Sequence, residues 1–290
     1  MPEEMKKLIQ EYQEGRITRR EFMQRAVVFT GSLAVAASLI DAIVPSGSHA
    51  AMVDPNDPAL ASNEIQYTGN AGTVFGYLTR PKASDKYPAI IIIHGGSGLD
   101  DHIRDVARRL AKEGYAALAV DFLSRHGGTQ KVTSGGKRIY IREMAPWQVV
   151  AEDADRGFAY LRELPDVRAD RVGVIGFCWG GEMTFAVATH VRGLKAVVVY
   201  YGRSPNPLDR VKNIEAPVLA HYGGEDKGVN PGIPATEEAM KRYDKSYTYK
   251  IYPGAQHGFN SDIGGSGQNT EAAKEAWPRT LEFFKKHLQG

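Results

Sequence analysis

The sequence holds one cysteine among 290 residues. No intrachain disulfide can form, and zinc sites built from several thiolates are excluded. Net charge is scarce too: 36 Lys and Arg against 34 Asp and Glu leave +2. The most basic stretches, Arg104–Arg109 and Lys137–Arg142, are interrupted by apolar or acidic residues. Neither is the clustered basic face that a nucleic acid requires, so no nucleic-acid partner is expected. Long apolar runs are missing as well. The main one, Ala26 to Ile40, falls short of the ~20 residues of a membrane span. What remains is ordinary globular composition, with 42% hydrophobic residues, enough for a sizeable core.

Residues 1–50 read as a separate segment. A polar, helical start leads to Arg19-Arg20-Glu21-Phe22-Met23-Gln24, then to the small-residue apolar stretch, then to Ser48-His49-Ala50. Paired arginines, a weakly apolar segment and a small-x-small site make up an export signal. The pattern resembles a twin-arginine signal, with Met23 and Gln24 where Leu and Lys are usual. The expectation is cleavage after Ala50, the twin-arginine machinery as a transient partner at the membrane, and a periplasmic or extracellular mature protein. The alternatives are an attached amphipathic helix on a cytoplasmic protein, and an uncleaved anchor. Residues 51–63 read as a linker, and 64–290 as one domain.

In that domain short β-rich runs alternate with longer helical ones. Strands are predicted at Ile65–Thr68, Thr73–Thr79, Ala89–Ile93, Ala116–Val120, Val172–Phe177, Ala196–Tyr201, Val218–Tyr222 and Thr248–Tyr252. Helices are predicted at Ile103–Glu113, Pro146–Glu163, Gly180–Val191, Pro234–Tyr243 and Thr270–Leu288. The alternation implies an α/β fold, a mostly parallel twisted sheet with helices on both faces. Ile90–Ile93 is continuously apolar, as a strand buried on both sides should be. Ser124–Glu143 lacks periodicity and reads as a long connection, a candidate site wall or lid.

The strongest motif is Gly176-Phe177-Cys178-Trp179-Gly180-Gly181, after a predicted strand and before a predicted helix. It is the nucleophile elbow of the α/β-hydrolase fold with cysteine in the serine position. The nucleophile sits on a strained strand-to-helix turn whose neighbours two before and two after must be small. The helix N-terminus favours a thiolate. In this fold the acid and the histidine follow, each after a later strand. Asp226 follows Gly223-Gly224-Glu225, and His257 follows Pro253-Gly254-Ala255-Gln256. Cys178, Asp226 and His257 are therefore the expected triad. Glu225 is the rival acid and His94 the rival histidine. The backbone N–H of Trp179 and of Gly96, in the glycine loop after the third strand, are the expected oxyanion donors. A phosphate-cradling role for that loop fails because no Walker lysine follows it.

These stretches, with His102–Leu110, Glu113–Ala117, Tyr200-Tyr201-Gly202 and His257-Gly258-Phe259-Asn260, resemble the dienelactone hydrolase family over Glu64 to Leu288. The N-terminus is similar to that of a secreted branch of it. The resemblance implies a cofactor-free, metal-free hydrolase acting on a small-molecule ester or lactone through a thioester. Two departures stand out. The family's glutamate that holds the resting thiol is replaced by Gly95. Its arginine four residues after the histidine is replaced by Ser261. The substrate is then expected to differ from dienelactone, with Arg125, Arg138 or Arg142 as alternative anion binders. The expected substrate-lining set is His94, Gly95, Arg125, Tyr201 and Phe259. Competing readings are a thioesterase or amide/peptide hydrolase on the same site, and a non-catalytic binding or redox protein that keeps the fold.

Overall fold

The computed structural model describes residues 3–13, 17, 19–30, 52–83, 85–132, 141, 146–261 and 270–290. The chain divides into two compact units, Met1–Ala50 and Ala51–Gly290. In the first, α1 (Glu3–Gln13) and α2 (Arg19–Thr30) bury Met5, Leu8 and Ile9 with Phe22 and Ala26. Glu11 accepts a hydrogen bond from Arg25. No helix among the described residues is long and apolar enough to cross a membrane. The apolar stretch beyond Thr30 and the expected cleavage site lie outside the described residues.

The second unit is built on one eight-stranded sheet. Its strands are β1 (Leu60–Gly69), β2 (Gly72–Pro81), β3 (Tyr87–Ile93), β4 (Ala116–Asp121), β5 (Val167–Phe177), β6 (Ala196–Tyr200), β7 (Val218–Gly223) and β8 (Tyr247–Tyr252). The order is β1-β2-β4-β3-β5-β6-β7-β8. β2 pairs antiparallel with β1 and β4, and every later pairing is parallel. The helices are α3 (Asp101–Lys112), α4 (Trp147–Glu163), α5 (Trp179–His190), α6 (Ile233–Arg242) and α7 (Thr270–Phe284).

Side chains alternate across a strand, and the two faces of the sheet feed two cores. Ile91, Ile93, Val174 and Val197 pack with α4 and α5 through residues such as Phe158 and Phe185. Ile90, Ile92, Ile175 and Val198 pack with α3 and α7 through Val106, Leu110 and Phe284. Both faces are covered, which is why β3 is buried at all seven positions. The predicted α/β architecture is therefore the observed one.

Two strands start five residues earlier than expected. β1 begins at Leu60, inside the stretch read as a linker, because it pairs with β2 in unbroken register from Leu60↔Pro81 to Gly69↔Gly72. Its burial does not alternate cleanly, so no period-2 signal marks it. β5 begins at Val167 rather than Val172, where Val167 pairs with Tyr87 across a register shift. The chain runs from β3 outward to β4, then returns to place β5 on the other flank of β3. Ligand crevices form at such reversals, beyond the carboxyl ends of the strands.

Candidate active site

Cys178 stands at the carboxyl end of β5 with φ 58° and ψ −119°. A non-glycine residue there is strained and persists only where its surroundings fix it. They do. The Cys178 N–H donates to the Tyr200 carbonyl, and its own carbonyl accepts from Gly181 and Glu182 at the start of α5. The crowding that demands small neighbours is direct. A Cβ on Gly176 would lie 2.2 Å from the Gly180 carbonyl oxygen, and one on Gly180 2.2 Å from that of Ile93.

His257 lies in the loop after β8, with Nε2 3.0 Å from the Cys178 sulfur. Its Nδ1 lies 2.6 Å from Oδ2 of Asp226, in the loop after β7. Asp226 is buried, and its other oxygen accepts from the Gly228 N–H at 3.1 Å. The backbone N–H groups of Trp179 and Gly96 both reach the sulfur. The structure thus brings together the five residues singled out as triad and oxyanion donors.

Burial pushes the Cys178 thiol up, but the hydrogen bond and charge of His257, with the two N–H groups, outweigh it and leave the thiol below its ordinary value. For His257, burial lowers the pKa. Contact with the sulfur and with Asp226 overcomes this and pushes it up to about 9. The two shifts agree on a thiolate beside an imidazolium. Their titrations belong to the pair rather than to either group.

The substrate-lining expectations fare unevenly. Tyr201 faces the cleft, its ring 5.1 Å from that of His257. Gly95 lies behind Cys178, where a Cβ would sit 3.5 Å from the Cys178 Cβ. Three others are corrected. His94 is fully buried: its Nε2 accepts the Phe122 N–H at 3.1 Å and its Nδ1 bonds the Gly95 carbonyl at 2.8 Å. Those partners define a neutral ring protonated on Nδ1, and burial holds its pKa down. It stacks behind Trp179 rather than lining the cleft. Phe259 is wholly in the core, against Tyr201 and Tyr252. Arg125 is drawn off to the buried Asp153, 3.0 and 3.2 Å from its two oxygens, because that carboxylate needs a counter-charge. Glu225, the rival acid, makes no contact with the histidine among the described bonds. Arg138 and Arg142 lie outside the described residues. Of the long connection, Ile141 packs with Leu123, Val132 and Trp179.

A cleft of about 670 Å³ opens beside the sulfur. Its wall includes residues that sequence reading missed: Trp147, Glu182, Met183, Arg203 and Arg210. Glu182 and Met183 were within reach, since they stand one helical turn after Cys178 on α5. Trp147, Arg203 and Arg210 come from remote segments and carry no local signal. Among the described residues no cluster of His, Cys, Asp and Glu could hold a metal ion.

Known proteins resemble this chain over most of its length. Residues 74–288 match the profile of the Dienelactone hydrolase family. A Methylorubrum extorquens protein assigned as a carboxymethylenebutenolidase is 31% identical over 277 residues, covering 91% of this chain and 94% of that one. A Bradyrhizobium protein assigned as a 2-oxo-3-(5-oxofuran-2-ylidene)propanoate lactonase is 33% identical over 245 residues, 80% of this chain and 96% of its own. Among solved structures, a Klebsiella pneumoniae protein assigned as a dienelactone hydrolase superposes with TM-score 0.72 at 30% identity, covering 78% of this chain and 98% of that one.

Proposed function

This chain belongs to the dienelactone hydrolase family, and on that premise we propose that its lactone- or ester-hydrolysing activity runs through Cys178, His257 and Asp226 by way of a thioester. The observation that carries the proposal is the unbroken relay from sulfur to His257 to buried Asp226, at 3.0 and 2.6 Å. The thiolate attacks the carbonyl carbon, and the carbonyl electrons move onto oxygen. That oxygen takes the place between the Trp179 and Gly96 N–H groups that the sulfur's charge occupies at rest. His257 gives its proton to the departing alkoxide, leaving Cys178 acylated. Neutral His257 then takes a proton from water. The hydroxide adds to the thioester, and the acid leaves as the thiolate returns, restoring the imidazolium. Asp226 keeps the imidazole in the tautomer with Nδ1 protonated and stabilises the cation.

The test is a panel of lactones and short-chain p-nitrophenyl esters, with acyl-enzyme trapping. A mass increase on Cys178 equal to the acyl group supports the route. Hydrolysis with no acylation of Cys178 on any time scale overturns it. The substrate is a small-molecule ester or lactone.

The family premise does not extend to residues 1–50, which we read as a twin-arginine export signal on the strength of Arg19-Arg20-Glu21-Phe22 ahead of a short apolar stretch. The mature protein is then periplasmic or extracellular, and contact with the membrane is transient. Residues 1–55 fused to a reporter that needs this route should cross the membrane, and replacing both arginines by lysine should stop it. Equal export of the doubly substituted fusion would overturn the reading.

A further inference from the structure

The cleft is long in one direction. Four of its lining residues, Trp179, Glu182, Met183 and Ala186, lie along one face of α5. From Cys178 to Ala186 that face extends about 12 Å at the helical rise of ~1.5 Å per residue. At its far end stands Arg210, from the turn Leu208–Asn213. Its guanidinium donates to the Thr189 hydroxyl at 2.8 Å, and its central carbon lies 3.2 Å from the centre of the Trp147 ring. Thr189 is one turn further along α5 than Ala186. Arg210 is thus fixed from two sides before any ligand arrives, and only one of its five N–H donors is taken up by that bond. Asp209 beside it is itself paired with Lys212. Arg203, after β6, also lines the cleft, is exposed, and has no ion-pair partner among the described residues.

The charged groups are not alike at the two ends. Near Cys178 stand the carboxylates of Asp226, bound to His257, and of Glu182, together with Arg203, which follows Gly202 where that glycine packs on Gly181 and Glu182. Arg210 stands at the other end, beside Thr189. Between them Met183, Ala186, Val229 and Trp147 supply apolar surface. An anion about 12–16 Å along the trench meets a preset guanidinium.

We propose that this trench is an acyl-arm subsite, in which Arg210 binds the terminal carboxylate of a long apolar acyl group. The favoured substrates are esters or lactones of ω-carboxylated acids rather than small lactone carboxylates. This rests on the thioester reading above, since it is the acyl part that stays on Cys178 while the alcohol departs.

The experiment compares kcat/KM of the full chain for three p-nitrophenyl esters: the monoester of sebacic acid, the uncharged decanoate of equal length, and the short monoester of succinic acid. The sebacate ester should be preferred over decanoate by about tenfold, the worth of ~1.4 kcal/mol for a charge-assisted contact in a half-open site. Succinate should show no such gain. Arg210→Gln should collapse the sebacate-to-decanoate ratio towards one. Arg203→Gln, at an exposed position that leaves the Trp147 contact intact, should leave the ratio near its wild-type value. Added salt should erode it in wild type. A ratio near one in wild type, a ratio unchanged in Arg210→Gln, or an equal gain for succinate would overturn the subsite while leaving Cys178-dependent decanoate hydrolysis in place. Ester cleavage that survives Cys178→Ala would overturn the triad reading, and this inference with it.

Discussion

The loops after β3 and β8 each present a histidine beside a glycine. They differ in what the ring nitrogens touch. His94 is closed on both sides by backbone, the Phe122 N–H and the Gly95 carbonyl, and stays neutral in the core. His257 has a sulfur on one nitrogen and a buried carboxylate on the other, and its pKa is pushed up to about 9. A histidine becomes a proton carrier when both partners change charge with it or answer its charge. Bound between two peptide groups, the same ring is a brace that ties the end of β3 to the end of β4.

The sharpest way to break that contrast is to remove each ring in turn. Cys178→Ala and His257→Ala should each cut kcat for ester hydrolysis by about 10⁴–10⁶, because members of such a unit fail together. His94→Ala in a purified, folded sample should cost far less. Near-wild-type hydrolysis in the His257 variant would hand the base role to His94. Asp226→Asn should follow, at about 10²–10⁴ in kcat, through the wrong tautomer. It should also move the alkaline limb of kcat/KM, expected near pH 9 in wild type, to lower pH, since removing the carboxylate removes support for the imidazolium. An unmoved limb would show that Asp226 has no hold on the histidine charge.

For His94 the expected loss is stability. The variant leaves a cavity and an unpaired Phe122 N–H, together about 2–4 kcal/mol in urea unfolding. The wild-type pH dependence has a matching sign. His94 lies below its ordinary 6.5 and His221, bonded to Tyr252 and Thr280, is pushed down to about 3, burial being the leading cause for both. Unfolding below pH 6.5 therefore takes up protons, and stability should fall as pH drops from about 6.5 towards 3. A flat profile across that window would mean these rings are not held neutral.

The smallest effect concerns the resting thiol. Iodoacetamide should alkylate Cys178 at pH 6 well above the rate of an unperturbed thiol. Gly95→Glu places a Cβ 3.5 Å from that of Cys178 and should slow the reaction several-fold by competing for the proton. Alkylation confined to pH above about 8 would remove the ion-pair description.

Much of this was legible beforehand because it depends on near neighbours in the chain. Gly176 and Gly180 are required by the turn that holds Cys178, so the elbow announces itself in six residues. The continuous apolar run of β3 betrays a strand covered on both faces. Asp226 and His257 were found through chain order and strand-end loops, which the elbow's fold dictates. Other features have no local signature. β1 starts five residues early because β2 offers it partners, a property of the pair. Arg125 looked available for an anion until folding set the buried Asp153 beside it. Phe259 adjoins the histidine loop, yet its ring is taken by the core. The sequence by itself therefore determined the sheet, the elbow and the two residues that line up behind its sulfur, because strand periodicity and turn sterics act over a few residues. Only the tertiary structure decided which histidine is charged and which arginines meet the cleft. Burial and opposing charge are set by segments far apart in the chain, here Trp147, Thr189 and Arg210, that become neighbours only when the sheet is assembled.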